Sequence, residues 1–194
     1  TYDYPYPFNA MAIDRSGIIW LCTQPTNSKG RLLQFDPQVE KFLPYEDKEG
    51  NNPLRNATPN FIMEARDRSL WIGTENGLYQ IDREKGKAKT YRALKGNNGL
   101  ASDIVYVLPE DGQGLIWIGT TNGLNILDPE TGKFQPYSRK DGLASNTVCG
   151  IVPDSSGSYW ISTYNGLSYF EPQREAFRNF YAMDGLAHDE FNRF

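Results

Sequence analysis

An all-β fold is predicted by three features of this 194-residue sequence: a tryptophan phrase that recurs four times, Asn-Gly dipeptides between short apolar runs, and a composition rich in rings and turn formers. Trp20, Trp71, Trp117 and Trp160 stand in IIWLCT, SLWIGT, LIWIGT and SYWIST, at intervals of 51, 46 and 43 residues. Twelve Tyr and ten Phe accompany eighteen Gly and twelve Pro. Rings suit pleated surfaces, while Gly and Pro divide the chain into turns. A period of this size marks a repeated supersecondary unit, and it governs how every other feature is read.

Each unit resolves into four short strands. The first runs through AMAIDRSG, FIMEARDRS, IVYVLPEDGQG or VCGIVPDSSG. It closes in a turn where Asp14, Asp67, Asp111 and Asp154 are expected to cap their own backbone and the following Ser or Gly to take the turn dihedrals. The second carries the Trp and ends at Asn-Gly, which predicts a type I′ hairpin with positive φ at both residues and singles out Gly77, Gly123 and Gly166. The third is GLYQI, GLNIL or GLSYF, with a divergent RLLQF in the first copy. An outer strand such as KFQPY follows, whose Pro136 is tolerable only at an edge. Tyr91, Tyr137 and Phe180 each lie twenty residues beyond their Trp and Tyr45 lies twenty-five beyond, so the first copy holds a five-residue insertion.

The inner three strands are apolar at nearly every position, which requires both faces of each sheet to be covered. Four antiparallel strands repeated at about 45 residues and covered on both faces describe a β-propeller blade. The predicted fold is therefore a β-propeller fragment of about four four-stranded antiparallel blades. It forms a single partial domain over 1–194, with blades near 9–46, 58–92, 103–138 and 146–181 and the start of a further blade at 184–194. Trp20, Trp71, Trp117 and Trp160 are its structural repeat positions, and the Gly and Thr of WIGT are expected to let the next sheet approach. The Trp-Asp and Gly-His pairs of WD blades are missing, as is the Ser or Thr that precedes the Asp in sialidase-type Asp boxes.

Composition narrows the function. Twenty basic and twenty-four acidic residues leave a net charge of −4, and the basic residues are scattered, so no stripe exists to neutralise a nucleic acid. No run approaches the roughly twenty apolar residues that span a bilayer, so membrane contact is expected only through segments outside this sequence. Cys22 and Cys149 offer neither a disulfide framework nor a metal spacing and read as small apolar residues in strands.

The phrase LWIGTENGLYQID, the linker DGLASNTV at 141–148, its relatives NGLASDIV at 98–105 and DGLAHDEFN at 184–192, and the aromatic outer strand together resemble the two-component regulator propeller repeat. The resemblance extends over residues 9–192, and three of the four copies are close. It implies the sensory region of a hybrid two-component sensor, best known from gut Bacteroidetes. Such a region is periplasmic, binds a glycan or its breakdown product, and signals through a membrane helix to a histidine kinase. Those regions resemble two seven-bladed propellers, so this sequence reads as a fragment. Its expected partners are an oligosaccharide and further blades of the parent chain or a second copy.

Repetition also locates candidate sites. Positions shared by all copies answer to packing, whereas departures in loops are free to answer to a ligand. The departures are QPTNSK at 24–29, KEGNNPLRNATPN at 48–60, Thr121, and the candidate ligand-binding residues Arg55, Asn56, Asn60, Glu75, Tyr164 and His188. Arg55, Asn56 and Asn60 can hydrogen-bond sugar hydroxyls or an acid group, and Tyr164 can stack on a pyranose face. No catalytic residue, metal ligand or cofactor is expected: His188, flanked by Asp184 and Asp189, reads as a solvated loop, since zinc wants three or four converging ligands. A propeller enzyme, a glycoside hydrolase or lyase, is the alternative, and it would need paired carboxylates from unshared acids such as Glu75, Glu49 and Asp47. A protein-interaction scaffold would instead show a broad apolar patch on the rim.

Overall fold

The computed structural model describes residues 7–23, 31–94 and 98–192; the QPTNSK segment lies outside the described residues. Two compact units divide the chain, Thr1–Tyr91 and Arg92–Phe194. The first holds one sheet of β1 (Phe8–Ile13), β2 (Ile19–Thr23), β3 (Leu32–Asp36) and β4 (Lys41–Pro44), and a second of β5 (Pro59–Glu64), β6 (Leu70–Thr74), β7 (Gly77–Asp82) and β8 (Lys87–Tyr91). The second unit holds β9 (Val105–Val107), β10 (Ile116–Thr120), β11 (Gly123–Leu127) and β12 (Phe134–Tyr137), then β13 (Val148–Pro153), β14 (Tyr159–Thr163), β15 (Leu167–Glu171) and β16 (Ala176–Phe180). Every sheet is antiparallel with its strands in chain order. Pro136 sits on the edge strand β12, opposite Asn125.

Burial follows the repeat closely in the middle of the chain. All residues of β6, β10 and β11 are buried. Trp71 and Trp117 are fully enclosed, each removing on the order of 200 Å² of ring from water, worth about 5 kcal/mol. In unit 1, Trp20 packs in a core with Leu32, Ile62, Ile72 and Tyr79. In unit 2, Trp117 packs with Tyr159, Ile161 and Phe170. A methyl on Gly119 would come within 2.5 Å of Val107 and 2.7 Å of Val148, so the glycine of WIGT does let the next sheet approach.

Coverage of both faces does not extend to every strand. Met11 and Ile13 of β1 are 70% and 66% exposed, and Trp160 is 36% exposed. The cause is visible within unit 2. Tyr159 stacks on Trp117 at 3.6 Å and Phe170 meets it edge-on at 5.8 Å, both from the following sheet. The ring neighbours of Trp160 among the described residues, Tyr169 and Phe180, belong to its own sheet.

The first turn of each unit is more elaborate than a cap, and its register corrects the sequence reading. Asp14 Oδ1 accepts the backbone N–H groups of Ser16 and Ile18, and Oδ2 accepts the indole N–H of Trp20 at 2.9 Å. Asp111 treats Gln113, Leu115 and Trp117 in the same way. Asp154 Oδ1 takes Ser156 and Ser158, but its Oδ2 accepts the hydroxyl of Tyr169. In the second copy the equivalent residue is Ala65, not Asp67. Ala65 donates to Ser69 O and accepts from Arg68, matching the bonds of Asp14 to Ile18 and Gly17. Asp67 instead takes both the N–H and the hydroxyl of Ser69. The position three after the cap holds Gly17, Gly114 and Gly157 at φ of 82° to 86°, and in the second copy Arg68 at φ 65°.

The type I′ expectation also fails. Gly77, Gly123 and Gly166 have φ of 95°, 132° and 97°, but Asn76, Asn122 and Asn165 are not in the positive region. One positive-φ residue after a two-residue turn is the pattern of a type I turn with a G1 bulge. A buried threonine determines it: Thr74, Thr120 and Thr163 each donate Oγ1 to the Gly carbonyl at 2.7 to 2.8 Å and accept the Asn N–H.

Candidate functional site

In each unit these threonine-clamped turns are tied to the linker that enters the same sheet. The residue after each Thr donates its N–H to the linker entering the same sheet: Glu75 to Thr58 O, Thr121 to Ile104 O and Tyr164 to Thr147 O. The Asn side chain adds a second tie, Asn76 to Asn56 O at 2.8 Å and Asn122 to Ala101 O at 3.2 Å. At this position Glu75 and Tyr164 present exposed side chains, whereas the Thr121 hydroxyl lies 2.8 Å from that of Ser102 in the linker and so adds to the scaffold. Linker residues that face inward are apolar and buried, as with Leu54, Ala57, Leu100, Leu143 and Ala144.

Four of the six candidate ligand residues lie in unit 1. Arg55, Asn56 and Glu75 are exposed and Asn60 is half-buried on β5. The hydrogen bonds from Asn76 and Glu75 to the 56–58 backbone bring Asn56 and Glu75 to one stretch of rim. In unit 2, Tyr164 is 44% exposed at the β14–β15 turn. His188 is exposed in the tail, its ring 6.3 Å from that of Phe191. That tail lies along the same turn, with Gly166 N–H on Asp189 O and Phe191 N–H on Thr163 O. Among the described residues no group of three or more His, Cys, Asp or Glu converges as a metal-ligand set.

Arg55 lines a groove of about 430 Å³ with Arg31, Tyr45, Glu46, Asn51 and Asn52. Its outer wall is the loop 47–51. There Asp47 accepts the N–H groups of Asn51 and Glu49, which hold its carboxyl below the ordinary carboxylate range. Neither Arg31 nor Arg55 makes an ion pair among the described residues. Tyr45, Pro44 and Glu46 also border a larger groove of about 790 Å³ that runs past Gln34, Gln80 and Arg68. No residue of this larger groove is among the six candidates; the signal that could have pointed to it is Arg68, standing where three other copies place glycine.

Beneath the larger groove lies a buried ionic centre. Arg83 reaches from the end of β7 to Asp14 at 2.6 Å and to Glu64, donates Nε to Arg68 O, and lies 5.4 Å from the centre of the Trp20 ring. The Asp14 and Glu64 side chains are almost wholly enclosed. Burial alone would raise the Asp14 pKa, but the indole, Arg83 and two backbone N–H groups outweigh it and lower the value. Arg83 is thus a lock between sheets, with its charge already matched.

Comparison with known proteins places these features. Residues 142–165 match the family described as Two component regulator propeller. No curated protein matches the chain. Among solved structures, the extracellular domain of a protein described as hybrid two component system BT3049 from B. thetaiotaomicron is 23% identical. It aligns over 98% of this chain and 25% of its own length, with a TM-score of 0.77. The corresponding domain of BT4673 from the same organism is 23% identical over 92% of this chain and 25% of its own, at 0.73. Virginiamycin B lyase from Staphylococcus aureus is 15% identical over 90% and 55%, at 0.68. The chain therefore spans about a quarter of the length of the two extracellular domains, and its fold is a β-propeller fragment of four four-stranded sheets.

Proposed function

We propose that this chain, which carries the two-component regulator propeller repeat at residues 142–165, is a non-catalytic piece of the extracytoplasmic, periplasmic sensory region of a hybrid two-component sensor, and that it detects a glycan or oligosaccharide. The repeat match is the observation that carries the reading. The likeness of fold to two extracellular domains of hybrid two component systems supports it, whereas the lyase likeness speaks to fold alone. Among the described residues no helix is long and apolar enough to cross a membrane, so the signal would leave through segments beyond this sequence.

The chemistry assigned to the chain is recognition. Arg55 can clasp a sugar hydroxyl pair or an acid group with its fork of donors, Asn56, Asn60 and Glu75 supply further directed polar groups, Tyr164 offers a flat apolar platform, and His188 adds a donor on the tail. Rigid sheets then convert occupancy into displacement, which requires the ligand to favour one arrangement of the parent protein over another. A further blade of the parent chain or a second copy is the expected cover for the open Trp160 face, as Tyr159 and Phe170 are for Trp117.

Isothermal calorimetry of the chain against a panel of plant and host oligosaccharides tests this reading. At least one should bind, and Arg55→Ala or Tyr164→Ala should weaken it. Tight capture of a protein partner with no saccharide bound would replace sensing of sugars with the scaffold reading.

A further inference from the structure

The space beside Tyr45 in unit 1 is open where its counterpart in unit 2 is full, and we propose that this groove binds a neutral oligosaccharide of two or three sugar rings. Strand register sets the correspondence. Tyr45 bonds to Leu32 as the residue ending the first sheet, and Tyr137 pairs with Leu124 at the same place. In unit 2 the following sheet presents Tyr159, Phe170 and Phe177 in one cross-strand row, and the two Phe rings lie 5.0 and 5.6 Å from Tyr137. The same row in unit 1 is Leu70, Ile81 and Ala88. Unit 1 thus has no counterpart of the two Phe rings that pack on Tyr137, and a groove of about 790 Å³ opens beside Tyr45, lined among others by Gln34, Arg68 and Gln80, within the range of roughly 300–1,000 Å³ that small-molecule sites occupy.

Its walls suit a polyhydroxylated ligand. Gln80 accepts the Tyr91 hydroxyl at 3.0 Å, which fixes the amide and leaves its NH₂ free to donate. Gln34, opposite Trp20 in the ladder, makes no side-chain hydrogen bond among the described residues. The Tyr45 hydroxyl is shut from water and unpaired, a cost that a small rotation toward a ligand hydroxyl would relieve. Arg68 keeps a left-handed backbone, φ 65°, where Gly17, Gly114 and Gly157 stand in the other copies. Backbone strain of this kind persists where function needs the side chain.

Charge selects against anions. Arg83 is matched by Asp14 and Glu64, and Lys85 by Asp82. That leaves Glu46, Asp67 and Glu84 around the groove against Arg68, an acidic surplus that repels uronates and sulfates and leaves acceptors for neutral hydroxyls. The inference rests on the saccharide-binding reading above but assigns a place that excludes Arg55, which lines the smaller groove and not this one.

The test is a calorimetric titration of the chain with cellobiose, maltotriose, xylotriose, mannobiose and di-N-acetylchitobiose, with a chondroitin disaccharide as acidic comparator. One neutral sugar should bind at one per chain. Gln34→Ala and Arg68→Gly should each weaken it by about fivefold or more, the effect of one lost hydrogen bond, and Lys133→Ala, at an exposed turn of unit 2 that lines neither groove, should leave it unchanged. Arg68→Gly restores the residue the other turns use, so it should melt no lower than the parent and its loss of binding cannot be misfolding. A neutral sugar indifferent to Gln34→Ala and Arg68→Gly overturns the groove, and if Arg55→Ala abolishes it the rim reading survives. Binding of the acidic disaccharide alone also overturns it, and no binding at all removes both readings.

Discussion

The indole N–H of Trp117 is held by the carboxylate of Asp111 at 2.9 Å, and the backbone of the turn between them is held by the other oxygen of the same carboxylate. One side chain therefore orients both the hairpin and the ring that the next sheet packs on, through Tyr159. Asp14 and Trp20 repeat the arrangement in unit 1.

Trp117→Ala should cost about 3–5 kcal/mol, the range for large core aromatics, whereas Trp160→Ala, at a site 36% exposed, should cost about 1–2 kcal/mol because less ring leaves water on folding. Urea denaturation of the two variants measures both. Equal losses would mean that the two rings share surroundings after all.

Arg83→Ala should destabilise the chain by about 3–5 kcal/mol near neutrality, because it strands the enclosed carboxylates of Asp14 and Glu64. The loss should shrink in acid. The folded Asp14 pKa lies below its ordinary value, so its contribution is complete above the unfolded pKa of about 3.9 and disappears as pH falls through the folded value. Denaturation midpoints of parent and variant should therefore converge below about pH 4; a gap independent of pH would assign the effect to packing of the Arg83 stem on Trp20.

Thr120→Val should cost about 1–3 kcal/mol despite matching shape, since it leaves Gly123 O and Asn122 N–H without their buried partner. Thr120→Ser should recover most of that loss. Gly123→Ala should be worse than Thr120→Ser, because the added carbon would meet Tyr137 O at 2.5 Å on a backbone at φ 132°. Thermal melts of the three variants give the order directly.

Both cysteines should resist alkylation. Burial, with help from Glu190, pushes the Cys149 thiol up to about 11, and burial also raises that of Cys22. At pH 8 the native chain should label at Cys149 slower than a free thiol by a factor on the order of 100, with Cys22 slower still. Rapid stoichiometric labelling of Cys22 would show that β2 opens readily.

The strand plan was readable in the sequence because the Trp phrase, the turn residues and the closing aromatic all repeat at matching offsets. What failed to show depended on partners distant along the chain. Asp67 passes for a cap by its chemistry, and only the bonds of Ala65 and Arg68 reveal the shift by two. Asn-Gly serves a type I′ turn or a bulged type I turn equally well, and the Oγ1 bonds of Thr74, Thr120 and Thr163 decide between them. Trp160 stands at the same place in its repeat as Trp117, but its exposure is set by what packs on its sheet. The larger groove was hidden because its walls come from residues far apart along the chain, Gln34 and Tyr45 from the first sheet and Arg68 and Gln80 from the second.

Hydrogen exchange of the four indole N–H groups, followed by nitrogen-resolved NMR, bears most directly on the claim that carboxylate-held rings between stacked sheets are the scaffold. Trp20 and Trp117, donating to Asp14 and Asp111 within the core, should exchange slowly, and Trp160, whose Asp154 is taken by Tyr169, should exchange fast. Four indoles exchanging at one common rate would contradict it.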